Sequence, residues 1–278
     1  MDMINNLDDL YTPSKWCKRF NSEGTLKFFT QRVTKGSEVV RHTIPCKLNV
    51  AYGPEIHQKL DIFGNDLPKD SPIFIFIHGG YWQTFSKNES CFMAKMLYMN
   101  KIKTIVIGYY KCPYVTLNQQ LNDVTKGVKK SLELAEKWNT SKVIIAGHSA
   151  GAFNTAYLLK NLSQFTQKQK NLIQGLVLIG GLYDITPLID TYINKVIQLT
   201  LKEAEELTPC LINLNEKLKM YLIIPEYESP AFVAQNQMYY DRLKNAGYDV
   251  QMIQFKNCDH YTIMENLMKE EFELSQFI

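Results

Sequence analysis

Three short stretches of this chain carry residues whose types and spacing could do chemistry. The first is Gly147-His148-Ser149-Ala150-Gly151, a Gly-x-Ser-x-Gly. It follows an apolar run that ends at Ala146 and opens the helix-like stretch Ala152 to Leu162. A strand, a tight turn and a helix in that order form an elbow that lifts a serine out of the backbone. Small residues on both sides let the turn close, and the hydroxyl then stands at the carboxyl edge of a sheet, near the positive end of the next helix. A serine hydroxyl is a poor nucleophile at neutral pH and needs a base. The chain has five histidines, His42, His57, His78, His148 and His260. With an elbow the chain order is nucleophile, acid, base. Only His260 follows Ser149, so it is the expected base.

The acid is expected just beyond the strand-like run Tyr221–Ile224, where Glu226 and Glu228 stand. Asp259 adjoins His260, but sequence neighbours rarely face each other well enough to hydrogen-bond through their side chains. Asp184, after the preceding strand, is the next alternative. Glu228 is favoured. Glutamate suffices because the requirement is an anion that orients the imidazole and stabilises its charged form. The third stretch, His78-Gly79-Gly80-Tyr81-Trp82, follows the first core strand. Its glycines let backbone N–H groups turn towards a reacting carbonyl. The expected oxyanion hole is this loop (Gly79, Gly80, Tyr81) with Ala150, the donors being the N–H groups of Gly80, Tyr81 and Ala150. Loss of one such donor typically costs roughly two to three orders of magnitude in rate. His78 is then a structural histidine that pins the loop. Nothing downstream resembles a P-loop or a dinucleotide fingerprint.

The elements that must position these residues read as an α/β chain. Ile73–Ile77, Thr104–Ile107, Lys142–Ala146, Gly175–Ile179 and Tyr221–Ile224 are continuous β-prone runs, as expected of strands buried on both faces. Val250–Phe255 alternates and fits a last strand. Leu48–Ala51 and Lys59–Phe63, separated by Gly53-Pro54, fit an antiparallel edge. Leu117, Leu121, Val124, Val128, Leu132 and Ala135 recur at helical spacing. Ser229–Ala246 and Tyr261–Ile278 also read as helices. Short apolar runs alternating with amphipathic stretches predict a mostly parallel central sheet with helices on both faces. The first fifty residues read as irregular and polar, so residues 1–45 are expected to be an N-terminal extension wrapping a single domain that spans 1–278.

Composition excludes several classes. With 31 basic and 28 acidic residues, the net charge of +3 is too small to suggest a nucleic-acid or membrane-surface partner. Hydrophobic residues at 45% argue against disorder. The six cysteines are scattered with no CxxC pair, unlike a disulfide framework or a zinc site. Free thiols, no apolar leader in Met1–Tyr11 and no run long enough to span a bilayer make a cytosolic enzyme the expectation.

The resemblance to a known family rests on particular residues. His78-Gly79-Gly80-Tyr81-Trp82-Gln83, continued by Ser86-Lys87-Asn88-Glu89-Ser90, resembles the oxyanion segment of kynurenine formamidases (arylformamidases), which have the α/β-hydrolase fold. Tyr11-Thr12-Pro13-Ser14-Lys15-Trp16, Lys59-Leu60-Asp61-Ile62, Leu199-Thr200-Leu201, Glu228-Ser229-Pro230-Ala231-Phe232 and Asp259-His260 with Glu265-Asn266-Leu267 also fit, so the likeness spans nearly the whole chain. It implies hydrolysis of the formamide of N-formylkynurenine to kynurenine and formate in tryptophan breakdown, with Ser149 as nucleophile and His260 as base. It implies no metal or cofactor, and a small-molecule substrate as the partner; a homodimer is an open alternative to a monomer. The family usually has aspartate where this chain has Glu228. An aromatic pocket for the leaving group is expected, with Trp16, Tyr81 and Trp82 as its walls. The rival readings are a general short-acyl carboxylesterase and a non-catalytic member of the fold.

Overall fold

Ile73, Phe74, Ile75, Phe76 and Ile77 are all buried, and their alternation sorts side chains to two sides: the isoleucines pack with one core cluster and the phenylalanines with another. That strand lies inside an eight-stranded sheet. The computed structural model describes residues 6–140, 142–209, 218–269, 271 and 273. Its strands are β1 (Cys46–Ala51), β2 (Lys59–Phe63), β3 (Ile73–Ile77), β4 (Lys103–Ile107), β5 (Val143–His148), β6 (Ile173–Ile179), β7 (Lys219–Tyr227) and β8 (Asp249–Asp259). Their spatial order is β1-β2-β4-β3-β5-β6-β7-β8. β1 and β2 form the expected antiparallel edge, and the pairs from β4 through β8 are all parallel.

The helices in chain order are α1 (Leu7–Leu10), α2 (Ser22–Thr43), α3 (Ala94–Met99), α4 (Leu117–Lys137), α5 (Ala150–Tyr157), α6 (Gln167–Leu172), α7 (Asn194–Ile197), α8 (Leu201–Leu207), α9 (Pro230–Asn245) and α10 (Thr262–Glu265). One face of the sheet is covered by α4, α5 and α9, through Val124, Val128, Ala152, Ala156, Tyr239 and Leu243. The other is covered by α2, α3 and α10, through Phe29, Val33, Met96, Leu97, Ile263 and Met264. A third cluster, with Trp82, Phe153, Leu188 and Phe232, sits around the start of α5.

The N-terminal region departs from the expectation of an irregular extension. Residues Ser22–Thr43 form a 22-residue helix that covers one face of the sheet. Its buried stripe is Thr25, Phe29, Val33, Ser37 and Val40. Two of these five are polar, which dilutes the apolar period, and Ser37 is accommodated by accepting a hydrogen bond from the Cys91 N–H at 3.2 Å. The C-terminal stretch also differs. Among the described residues of Tyr261–Ile278, expected as one helix, α10 ends at Glu265 and passes into a 3-10 turn, Asn266–Met268. Beyond it Lys269, Glu271 and Glu273 are exposed; residues 270, 272 and 274–278 lie outside the described residues.

A buried ionic cluster joins elements near the site. Asp61 on β2 is fully buried; it pairs with Arg41 Nη2 of α2 at 2.6 Å and Lys87 Nζ at 2.9 Å, and accepts the Asn49 N–H at 2.8 Å. Removing one partner of a buried pair leaves charge uncompensated, which is costly. Asp61→Ala is therefore expected to destabilise the fold by about 3 kcal/mol, read from the urea midpoint at unchanged m-value; a loss under about 1 kcal/mol would assign the cluster no structural weight.

Candidate active site

The elbow is built by contact with neighbouring strands. Ser149 follows β5 directly and has φ 56° and ψ −121°, a region costly for any residue with a Cβ. Its N–H donates to the Ile179 carbonyl at 2.8 Å, fixing it against β6. A Cβ at Gly147 would collide with the Gly151 carbonyl, and one at Gly151 with the Ile77 and His78 carbonyls. The glycines are therefore required by backbone crowding. Serine is a strong N-cap residue, yet Ser149, at the N-cap position of α5, makes no side-chain capping bond. Its hydroxyl is left for other use at the positive end of that helix.

The loops after β7 and β8 bring Glu228 and His260 together. His260 Nδ1 lies 2.6 Å from Glu228 Oε2, and both side chains are buried. The other carboxylate oxygen, Oε1, accepts the Ser229 N–H at 2.8 Å. A carboxylate so held fixes the ring's tautomer, with hydrogen on Nδ1 and the second nitrogen bare. Gly180, at φ +50°, passes close behind: a Cβ there would sit 3.2 Å from both Glu228 Oε2 and His260 Nδ1. The other carboxylates weighed for this place are occupied elsewhere. Glu226 accepts the Asn257 N–H at 2.7 Å, and Asp184 caps its own turn through the Thr186 N–H at 2.9 Å. Asp259 accepts the N–H groups of Tyr261 (2.9 Å) and Thr262 (2.7 Å) in the turn that leads into α10.

His148 is a contributor that sequence reasoning passed over. It occupies a variable position of Gly-x-Ser-x-Gly, so nothing in the motif marks it. Its buried ring lies 4.6 Å from that of His260, and Nε2 is 2.9 Å from the His260 carbonyl. Burial, reinforced by the neighbouring His260, holds its pKa well below the ordinary value. The neutral ring donates Nε2–H to that carbonyl and so steadies the backbone that carries His260. Burial likewise pushes His78 down to about 4. Its Nδ1 is 2.9 Å from the Gly79 carbonyl, and its ring stacks on Tyr109 at 4.1 Å. It pins the glycine loop, as the sequence suggested.

That loop is strained and braced. Gly80, Tyr81 and Trp82 have φ of 108°, 48° and 61° in succession. Left-handed non-glycine residues persist only where their surroundings over-determine them. Tyr81 OH donates to the Tyr11 carbonyl at 2.7 Å, and Trp82 Nε1 to Asn154 Oδ1 at 2.8 Å. The Trp82 carbonyl accepts Cys112 N–H (3.0 Å) and Gln120 Nε2 (3.1 Å). Among the described residues the Gly80 and Tyr81 N–H groups make no backbone–backbone hydrogen bond, and Ala150 N–H, at the first position of α5, has no partner within the helix.

Ser149, His260, Gly79, Gly80 and Tyr81 open onto one cavity of about 220 Å³, whose wall is largely apolar and includes Phe29, Phe85, Tyr192 and Tyr261. Two expected walls are not there. Trp82 is fully buried in the cluster around α5, held by its bond to Asn154. Trp16 is partly exposed, with Nε1 donating to the Asp9 carbonyl at 3.0 Å. Of the three aromatic residues named, Tyr81 alone lines the cavity. The N-terminal segment contributes Thr12, Pro13 and Ser14 instead, and α2 contributes Leu26, Phe29 and Val33. Among the described residues no group of three His, Cys, Asp or Glu side chains could hold a metal ion, and no helix is long and apolar enough to cross a membrane.

Residues 74–264 match a family described as alpha/beta hydrolase fold, and the chain belongs to that family of hydrolases. A kynurenine formamidase from Salmo salar is 30% identical over 284 residues, covering 98% of this chain and 95% of its own. One from Drosophila melanogaster is 29% identical over 289 residues, covering 98% and 96%. Within the hydrolases the chain is thus a member of the kynurenine formamidase family. A candidate thioesterase from Silicibacter sp. TM1040 superposes with a TM-score of 0.82 at 24% identity, over 98% of both chains. A Pyrobaculum calidifontis esterase does so with 0.70 at 14%, over 90% of both. These two structures speak for the fold.

Gly180→Ala tests how tightly the Glu228–His260 pair is held. The new methyl adds left-handed strain and presses on both partners. Misplacement by about an ångström can cost about 100-fold in rate, so hydrolysis of an aryl ester is expected to fall by at least about ten-fold in kcat while the circular-dichroism spectrum is kept. Undiminished kcat in a folded variant would show that the pair tolerates displacement.

Proposed function

We propose that this hydrolase cleaves the formamide of N-formyl-L-kynurenine, releasing L-kynurenine and formate, as a step of tryptophan breakdown in the cytosol. The observation that carries the reading is the buried 2.6 Å Glu228–His260 contact, on a cavity shared with the Ser149 elbow. It occurs in a chain alignable over almost its full length with kynurenine formamidases.

In this reading His260, its Nδ1–H held by Glu228, takes the Ser149 proton on Nε2 as the serine oxygen attacks the formyl carbon. The developing oxyanion is met by the N–H groups of Gly80, Tyr81 and Ala150, already oriented by the braced loop and the helix start. His260 then returns the proton to the anilide nitrogen, the arylamine leaves, and water hydrolyses the formyl-serine by the same route. Glutamate serves in place of the family's usual aspartate because its second oxygen is fixed by Ser229 N–H. The formyl group needs almost no space, so binding falls on the aryl ketone of the leaving group, which the rings of Tyr81, Tyr192 and Tyr261 can flank.

A short-acyl carboxylesterase is the second reading. It is favoured by the apolar residues Val33, Phe76, Phe92 and Met264 on the cavity wall, which could shelter an acyl chain larger than formyl. Side-by-side rates decide between the two. Kynurenine release from N-formylkynurenine, followed by absorbance, is expected to exceed phenyl butyrate cleavage by about ten-fold or more in kcat/KM. Both should fall by at least about 1,000-fold in Ser149→Ala, and kcat by about 10,000-fold in Glu228→Gln, which loses the anion. Esters cleaved through Ser149 without kynurenine release would establish the carboxylesterase instead.

A further inference from the structure

The cavity wall carries one carboxylate that the triad and the oxyanion loop do not use. Glu89 lies in Ser86-Lys87-Asn88-Glu89-Ser90, just after the oxyanion loop, and is half-buried. Ser86 Oγ donates to its Oε2 at 2.6 Å, and among the described residues Oε1 has no hydrogen-bond or ion-pair partner. The adjacent Lys87 does not neutralise it, because its ammonium is bound to Asp61, Asn49 and Asn88. Among the described residues no lysine or arginine lines the cavity. His78 and His148, which do, are held neutral by burial. The third histidine on the wall, His260, is already paired with Glu228. A carboxylate on a mostly apolar wall loses hydration and gains from a cation that replaces it.

We infer that Glu89 receives the α-ammonium group of the substrate, so that the enzyme recognises an aromatic amino-acid formamide by its cationic end. Among the described residues the wall offers no counter-ion to the α-carboxylate of the same substrate. This assignment rests on the proposed formamidase function and adds a specificity residue to it. A merely structural Glu89, holding the turn that Ser86 also caps, would predict something different. Glutamine at this position still accepts the Ser86 hydrogen bond and lacks only the charge.

Three formamides with the same reacting group separate these cases. N-formylkynurenine has ammonium and carboxylate, N-formylkynurenamine has the ammonium alone, and ortho-formamidoacetophenone has neither. In the wild-type enzyme the first two are expected to exceed the third by about ten-fold in kcat/KM, the scale of one charge-assisted hydrogen bond. Glu89→Gln should remove that advantage, mainly through KM, and leave the neutral compound unchanged. Equal loss on all three compounds, or no loss on any, would overturn the assignment. If none of the formamides is cleaved, the proposed function fails separately. The same compounds, used as competitive inhibitors of phenyl acetate hydrolysis, then read the contact by itself. Tighter inhibition by N-formylkynurenamine that disappears in Glu89→Gln upholds it, and indifference to the substitution overturns it.

Discussion

Ser149 stands in a backbone conformation that an L residue adopts at a cost of about 1–3 kcal/mol, and the surrounding structure is arranged so that it has no alternative. On one side Gly151 presses against the carbonyls at the end of β3, and on the other the Ser149 N–H is bound to the end of β6. The strands enforcing this are among the most deeply buried in the molecule, with β3, β4 and β5 covered on both faces. Relaxing the elbow would require separating them, so the strain is held by packing far larger than itself. What results is a hydroxyl released from capping duty, at a helix start, on the wall of a cavity.

The other parts of the site are referenced to this point through the carboxyl edge of the sheet. Glu228 and His260 come from loops after adjacent parallel strands, β7 and β8, so their 2.6 Å contact follows from strand pairing. The N-terminal segment closes the arrangement. The Leu10 carbonyl accepts from Ser229 Oγ, one residue beyond Glu228, and the Tyr11 carbonyl accepts from Tyr81 in the glycine loop after β3. Consecutive carbonyls of one segment thus brace the loop after β7 and the glycine loop after β3 together. Desolvation keeps Tyr81 protonated well above the ordinary tyrosine range, so this donor persists at any physiological pH.

Much of this was legible in the sequence, for physical reasons that can be named. Strands buried on both faces must be apolar throughout, so five runs such as Ile73–Ile77 announced themselves, while β1, β2 and β8 were read from shorter or alternating segments. Ser149, Glu228 and His260 could be picked because each sits just past a strand, in the chain order an elbow demands. Features set by tertiary neighbours were not legible. Helix α2 hides two polar residues in its buried stripe, and α3, only six residues long, is too short to show a period. An aromatic side chain does not reveal which side of a loop it will take: Trp82 turned inward to Asn154 while Tyr81, beside it, faced the cavity. His148 sits at a position where the motif accepts any residue, and its bond to the His260 carbonyl spans 112 residues of sequence.

The central claim is that the elbow makes Ser149 the nucleophile of an acyl-transfer site. Its most direct test is covalent: reaction with a fluorophosphonate, followed by intact-mass and peptide mass spectrometry. The account predicts one phosphonyl group per chain, carried by the peptide that contains Ser149, with labelling slowed by N-formylkynurenine and absent from Ser149→Ala. An enzyme that hydrolyses its substrate yet remains unlabelled, or is labelled at another residue, would contradict it.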